Sequence, residues 1–460
     1  MLIRNKNSAR ELKILWALAL PTVIEQLLMT VVQYVDTAMV GRLGAQASAA
    51  VGVTSTMVWL SNAPLYAMGV GVLANIARAS GQNDEIRVKK SAAQGALLVV
   101  LIGVLEGVLM CGISPILPKL LGAEERIREE ASLYYLIISI PMLFRAAVII
   151  LGAGLRAVKE VKIPMWINIW TNILNIILNF FLIYEYRRVT FGSLVLPLPG
   201  LGLGVVGAAV ATAVSFVFGG GLMVLVYVRN RELGLGWKLP RYDKSVMLSC
   251  VKIAIPVGFE RVFVSLGHVI FTGFVATLGT VQLAAHTIAL TAEQAFYIPG
   301  YGMQAAVSTM IGNALGERNK ERVQRIGRLS FYCALIIMTL GGVVLFIGAE
   351  GMMSIFTPDL HVVEMGSKVL RLVAVSEPAF AIVIMAEGIF NGAGYTKVPF
   401  FISVFAMWGV RIMLSFICVF VLKAGLEAVW LCMIADTLCR SLAAVIVYRR
   451  GKWLGSLNER

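Results

Sequence analysis

Charge is what this sequence is short of. Of its 460 residues 14% are charged and 58% are hydrophobic, and no Asp, Glu, Lys or Arg falls between Arg42 and Arg78. A chain so poor in charge is excluded as a soluble globule, because a membrane span needs only about 20 such residues. Histidine is nearly absent as well, and His268, His286 and His361 match no metal-binding spacing. The six cysteines (Cys111, Cys250, Cys333, Cys418, Cys432, Cys439) lie in or beside apolar runs without ligand spacing, so they read as packing thiols. There is no G-x-x-x-x-G-K-[ST] phosphate loop, which argues against direct ATP drive. No nucleophile motif or clustered metal ligands near a membrane face point to an enzyme. The stretch Gly202-Leu203-Gly204-Val205-Val206-Gly207 fits the dinucleotide pattern G-x-G-x-x-G, but it leads from an outside loop into a membrane helix with no strand-forming unit before it. It reads as a helix-entry and packing signal.

What the chain does have is apolar length. Its mean hydropathy is +0.83, and apolar runs separated by polar or basic breaks predict twelve transmembrane helices. These begin near residues 14, 48, 91, 131, 164, 205, 249, 281, 329, 368, 399 and 425. The net charge of +14 is spread over short clusters between spans. It therefore reads as an orientation signal and not as a nucleic-acid surface. Most Lys and Arg fall in the segments that are inside if the N-terminus is cytoplasmic, and an even number of spans then puts both termini there. Residues 1 to 13 are basic but no small-residue cleavage site follows, so the N-terminus is expected to stay uncleaved.

The chain also repeats itself at one constant offset. Pro21 aligns with Pro256, Glu25 with Glu260, Leu43-Gly44 with Leu278-Gly279, Ala49-Ala50 with Ala284-Ala285, and Tyr66 with Tyr301. Farther along, Gly81 meets Gly316, Arg87-Val88 meets Arg322-Val323, and Lys162-Ile163-Pro164 meets Lys397-Val398-Pro399. Six spans precede the copy, an even number, so the halves cross in the same sense about an axis along the membrane normal. The fold class is an all-α polytopic membrane protein of two pseudo-symmetric six-helix lobes: 1–229, a cytoplasmic linker 230–245, and 246–460. Substrate is expected at the midplane.

Against that background the acids within spans stand out, since an ionised carboxylate at mid-bilayer costs about 2.5–3.5 kcal/mol. Glu25 and Asp36 share a face of the first helix, about 16 Å apart along it, with Gln33 a turn before Asp36. Both acids can be read as interfacial and snorkelling, and this is the stronger competitor at Glu25. Asp36 reads as an ion-coupling residue, because burial makes a carboxyl easier to protonate by stripping solvation from its charged form.

The fifth helix carries Asn168, Asn172, Asn175 and Asn179 at spacings of four, three and four, a polar stripe on one face. Inter-helix hydrogen bonding, worth ~0.6 kcal/mol per contact, is one explanation. The repeat favours a functional one, for the copy has Ser403, Met407, Val410 and Leu414 there and Phe271 in place of Asp36. Asp36 with Asn172 and Asn175 is then a candidate Na⁺ site. Glu260 and Glu377 lie beside Pro256 and Pro378, where bends accompany binding cavities. The cluster Gln294, Phe296, Tyr297 and Tyr301 either faces an organic substrate or packs. Glu106, Arg145, Arg261, Glu293, Glu387 and Arg411 also lie within spans, and Asp436 and Arg440, at i, i+4, are expected to neutralise each other.

Three motifs carry a family resemblance: Pro21 with Val35-Asp36-Thr37-Ala38-Met39-Val40-Gly41-Arg42-Leu43-Gly44; Gly154-Leu155-Arg156 with Lys162-Ile163-Pro164; and Asn391-Gly392-Ala393-Gly394-Tyr395-Thr396-Lys397-Val398-Pro399. Over essentially its whole length the chain resembles a bacterial multidrug and toxin extrusion (MATE) transporter. The resemblance implies two six-helix lobes in a V around a central cavity, in the bacterial inner membrane. It also implies export of amphipathic, often cationic organic compounds in exchange for H⁺ or Na⁺, with no other cofactor, no nucleic-acid partner and a monomeric state. Asp36 takes the place of the first-helix coupling aspartate, with the Asn stripe lining the same pocket. Where some relatives have a second aspartate on the sixth helix, this chain has Thr212 and Ser215. A same-fold alternative is a flippase or exporter of a lipid-linked sugar or metabolite, with Arg145, Arg261 and Arg411 available for phosphate. Acids outnumber bases in the spans, which favours cationic cargo.

Overall fold

The structure is a computed structural model that describes residues 6–191, 194–236 and 240–457. Its helices follow the apolar runs. In the first half they are α1 (Lys6–Gly41), α2 (Ala45–Gly81), α3 (Glu85–Ile113), the short α4 (Leu117–Leu120), α5 (Glu125–Ser139), α6 (Met142–Ala146), α7 (Gly152–Ala157), α8 (Lys162–Leu182) and α9 (Gly204–Arg229). The second half comprises α10 (Lys244–Ala276), α11 (Thr280–Gly316), α12 (Lys320–Phe356), α13 (Leu360–Ala374), α14 (Glu377–Ala393), α15 (Lys397–Phe405), α16 (Met413–Phe416) and α17 (Leu426–Arg450). Several begin well before their apolar runs, as α1 does at Lys6 and α12 at Lys320. Charged first turns remain solvated outside the hydrocarbon while the backbone ladder continues.

Among the described residues nine helices are long and apolar enough to cross a membrane, and two more spans form as bent pairs. The twelfth predicted run is α11, 37 residues long, which is not among these spans. The chain is thus an all-α polytopic membrane protein, with one antiparallel hairpin among the described residues, β1 (Glu185–Phe191) with β2 (Leu194–Leu201). That hairpin corrects one expectation: a strand does precede Gly202. It pairs only with its antiparallel neighbour and belongs to no βαβ unit, so the dinucleotide pattern remains a packing signal.

The described residues form two compact units. One holds residues 24–76 and 85–251, and the other holds those up to 23, 77–84 and those from 252 on. In the first unit small apolar clusters such as Val40, Ala47, Ile183, Val205 and Ala208 join the helices. The second has a larger core built on Phe271, Leu345, Met353, Leu370 and Trp430.

The repeat is visible in the helix breaks. α5 and α6–α7 meet at a bend of 55°, and α13 and α14 at one of 57°. Both breaks fall at equivalent positions, Ser139 to Met142 and Ala374 to Glu377. Pro141 supplies no N–H to the first break, and Pro378 opens the helix after the second. Within the second unit the ends of α2 and α11 touch reciprocally. A Cβ on Gly81 would meet the Asn313 carbonyl oxygen at 2.0 Å, and one on Gly316, its twin, would meet that of Arg78, the twin of Asn313, at 2.1 Å. Only glycine permits that approach.

The described part of the 230–245 segment is tied down. Gln94 on α3 donates to the Arg241 carbonyl at 2.8 Å and accepts from the Asp243 N–H at 3.2 Å. Lys90 pairs with Asp243 at 3.2 Å. The Val246 N–H and Lys90 together hold the Asp243 carboxyl below the usual carboxylate range. Residues 237–239 of that segment lie outside the described residues.

Candidate ion-coupling site

Two hydrogen bonds fix α1 against α8. Asn168 Nδ2 donates to Glu25 Oε1 at 2.6 Å, and three turns along Asn179 Nδ2 donates to Asp36 Oδ1, also at 2.6 Å. The two pairs have the same separation along the chain, so the helices run side by side in the same direction with the stripe facing the acids.

At Asp36 the amide of Asn175 lies against the carboxylate. With its nitrogen turned toward Asp36 it donates to the two carboxylate oxygens at 3.0 and 3.1 Å, whereas its oxygen there would oppose acceptor to acceptor. Its own oxygen then accepts from the Thr212 hydroxyl on α9, 3.3 Å away. Asn175 and Asn179 are buried, and Asn179 Oδ1 is a buried acceptor without a hydrogen-bond partner. Tyr134 on α5 packs beside Met39 and Val40, one turn beyond. The site is therefore one carboxylate, two amides and a hydroxyl, with amide oxygen to spare. Such a set can hold Asp36 charged, accept the O–H of its neutral form, or offer oxygen ligands to a hard cation.

Not every residue singled out by sequence joins it. Asn172 is half-buried and makes no side-chain hydrogen bond among the described residues. Gln33 is exposed, and its backbone carbonyl accepts from Thr37 at 2.8 Å. Glu25, paired with Asn168, also has Arg156 at 3.6 Å. In the sequence Arg156 stands only within the motif Gly154-Leu155-Arg156. The signal that could have given it a role is that the copy replaces it with Asn391.

In the second half Ser403 donates to Glu260 at 2.7 Å, the same contact as Asn168 to Glu25 at twin positions. Glu387, a charged residue left without a role at the level of sequence, accepts from Gln304 at 2.8 Å and lines a small cleft with Ser403 and Arg440. Glu377 is buried with Oε2 unpaired, and Tyr301 is exposed. Asp436 does pair with Arg440, at 2.8 and 3.0 Å, and Arg411 joins it at 2.7 Å. At the twin of Asp36, the buried ring of Phe271 carries the Arg411 guanidinium 5.5 Å from its centroid and meets His286 edge-on. His286 in turn accepts from the Trp430 indole at 3.2 Å. Among the described residues no group of three or more His, Cys, Asp or Glu is placed to hold a metal.

A duplicated bundle of membrane-spanning helices with buried carboxylates paired to amides is the architecture of a membrane transporter. The sequence model of the MatE family matches the chain twice, over residues 21–181 and 256–417, and the chain belongs to that family. A relative from Thermotoga maritima, named as a probable multidrug resistance protein NorM, is 27% identical over 95% of this chain and 92% of its own length. Two solved structures share the fold. A multidrug resistance MATE family transporter in an outward-facing conformation gives a TM-score of 0.88 at 21% identity, over 100% of this chain and 98% of that one. A transporter of the MOP superfamily from Pyrococcus furiosus, described as having a binding pocket of reverse polarity that suggests a different function, gives 0.87 at 21% identity, with the same coverage.

Proposed function

We propose that this chain is a secondary antiporter that exports amphipathic, cationic organic compounds in exchange for H⁺ or Na⁺, with Asp36 as the coupling residue. The observation that carries this reading is the Asp36 carboxylate held between Asn175 and Asn179, beside an amide oxygen with no partner. Loading an ion on Asp36 changes the charge and the hydrogen bonds at the α1–α8 contact, giving the cycle two states that an ion gradient can bias. A membrane potential of about 100 mV adds roughly 2.3 kcal/mol per charge moved. The relative named for multidrug resistance supports drug-like cargo. Lipid-linked sugar cargo is less well supported: of Arg145, Arg261 and Arg411, the last is already paired with Asp436, and acids outnumber bases within the spans. Glu260, Glu377 and Tyr301 are proposed as substrate contacts, and the excess of basic residues in the expected inside segments supports cytoplasmic termini in an inner membrane.

The test is uptake of tetraphenylphosphonium into proteoliposomes with a pH or Na⁺ gradient imposed separately. Asp36→Asn is expected to reduce gradient-driven uptake to the level of empty vesicles while the protein stays folded. Dependence on one gradient alone identifies the ion. Full uptake by the variant would overturn the role given to Asp36.

A further inference from the structure

Glu106 is a buried acid for which the site around Asp36 has no use. It is 5% exposed in the last third of α3, and neither carboxylate oxygen has a hydrogen-bond partner. An unpaired buried carboxylate is costly, so its position calls for an explanation.

That position is the break between α5 and α6. Glycines flank the acid and bring α3 onto the break: a Cβ on Gly103 would meet Leu143 Cα at 2.8 Å, and one on Gly107 would lie 3.6 Å from Met142 and 3.7 Å from the Ser139 carbonyl oxygen. Pro141 interrupts the backbone ladder there, and a break of this kind leaves carbonyls in need of donors. The charged and titratable groups facing Glu106 are few. On α6 Arg145 is the cation whose field reaches it, with its guanidinium 4.6 Å from the Phe216 ring centroid. On α5 Tyr135 turns its hydroxyl to Met110 one turn along α3, and Tyr134 and Tyr66 face Arg145. Cys111 is on the same helix, and the π-helical turn Ala147–Leu151 brings no titratable group.

The second half repeats the arrangement with its parts exchanged. At the twin contact, Gly342 on α12 packs against the α13–α14 break, where a Cβ would meet the Ala374 carbonyl oxygen at 2.7 Å and Glu377 Cβ at 3.1 Å. There the buried acid with an unpaired oxygen is Glu377, on the broken helix itself, and α12 has Gly341 where α3 has Glu106. Both halves thus bury one incompletely bonded carboxyl at the same bend, supplied from opposite helices. Shared ancestry of the residue does not explain that, but a shared requirement for an acid at the bend does.

We propose that Glu106 is a proton-binding site. Ionised, it is balanced by Arg145; neutral, it donates its new O–H to a carbonyl freed at the Pro141 break, so that protonation and the bend at Ser139–Met142 are coupled. The proton adds to one carboxylate oxygen and leaves from the same atom, and no other reactant is needed. Arg145 nearby favours H⁺ over a metal cation, which would face its full charge.

The proton can be read directly by infrared difference spectroscopy of the purified protein in lipid nanodiscs, titrated from about pH 9 to about pH 5. A carbonyl band of a protonated carboxylic acid is expected to grow on acidification, to vanish in Glu106→Gln and to move in Glu106→Asp. If the Gln variant fails to fold, the displaced band of the Asp variant decides alone. An unchanged set of bands in the folded Gln variant, or in the Asp variant, would overturn the assignment. The site adds to the antiport reading, and the two fail separately: Asp36→Asn is judged by transport, Glu106 by a band that needs no transport.

Discussion

The same place in the two halves has been built in opposite chemistry. In the first half Asp36 meets two amides and a hydroxyl; in the second, Phe271 sits among Arg411, His286 and Trp430, and the charge has moved to Asp436 between two arginines. Yet the contacts one level out are the same: Asn168 to Glu25 and Ser403 to Glu260 at twin positions, and a helix broken at the same residue in each half. Duplication preserved the frame, and divergence acted on the polar contents. A buried frame tolerates little change because its packing leaves no slack. A polar pocket can change charge as long as each buried group finds a partner.

The contrast can be broken most severely at Asp436. Asp436→Asn leaves the buried Arg411 and the half-buried Arg440 without their shared anion, and the expected cost is about 3–5 kcal/mol, read as a large fall in the thermal unfolding midpoint. Asp36→Asn should barely move that midpoint while abolishing coupling; equal destabilisation by both would mean that the first site too is only structural. Next comes Asn179→Leu, which installs the residue found at the twin position, Leu414. It removes a bond to a charged group worth about 1.5–3 kcal/mol, so the gradient needed for half-maximal uptake should rise roughly tenfold or more, with the fold intact. The smallest effect is expected at Asn172, where Asn172→Ala should change stability by less than ~0.6 kcal/mol and leave uptake unchanged. A strong loss there would show that the stripe acts as a unit and not through its two bonded members.

How far these sites could be read in advance depended on the range of the signal. Asn168, Asn175 and Asn179 could be placed on one helix face because helical period is local, and Asp36 stood out because charge in a span is expensive. Thr212 was reached only through a family comparison. That Asn172 and Gln33 stand apart was not legible: each has the right spacing, but spacing does not say which way a helix is rotated against its neighbour. Nor was Arg156 legible as the partner of Glu25, since the two are far apart in sequence and meet only when α7 closes on α1.

Length, the scarcity of charge and the constant offset between Pro21 and Pro256 by themselves determined a membrane protein of repeated halves, with Asp36 its odd residue out. These are sums and periodicities along the chain, and no packing is required to state them. Only the tertiary structure decided which buried charges are satisfied. Asp436 holds two arginines, Glu25 takes Asn168 and Arg156, Asp36 takes two amides, and Glu106 takes no hydrogen bond. The reason is physical: the worth of a buried charge is set by what lies within a few ångströms of it, and those neighbours come from helices that the sequence keeps far apart.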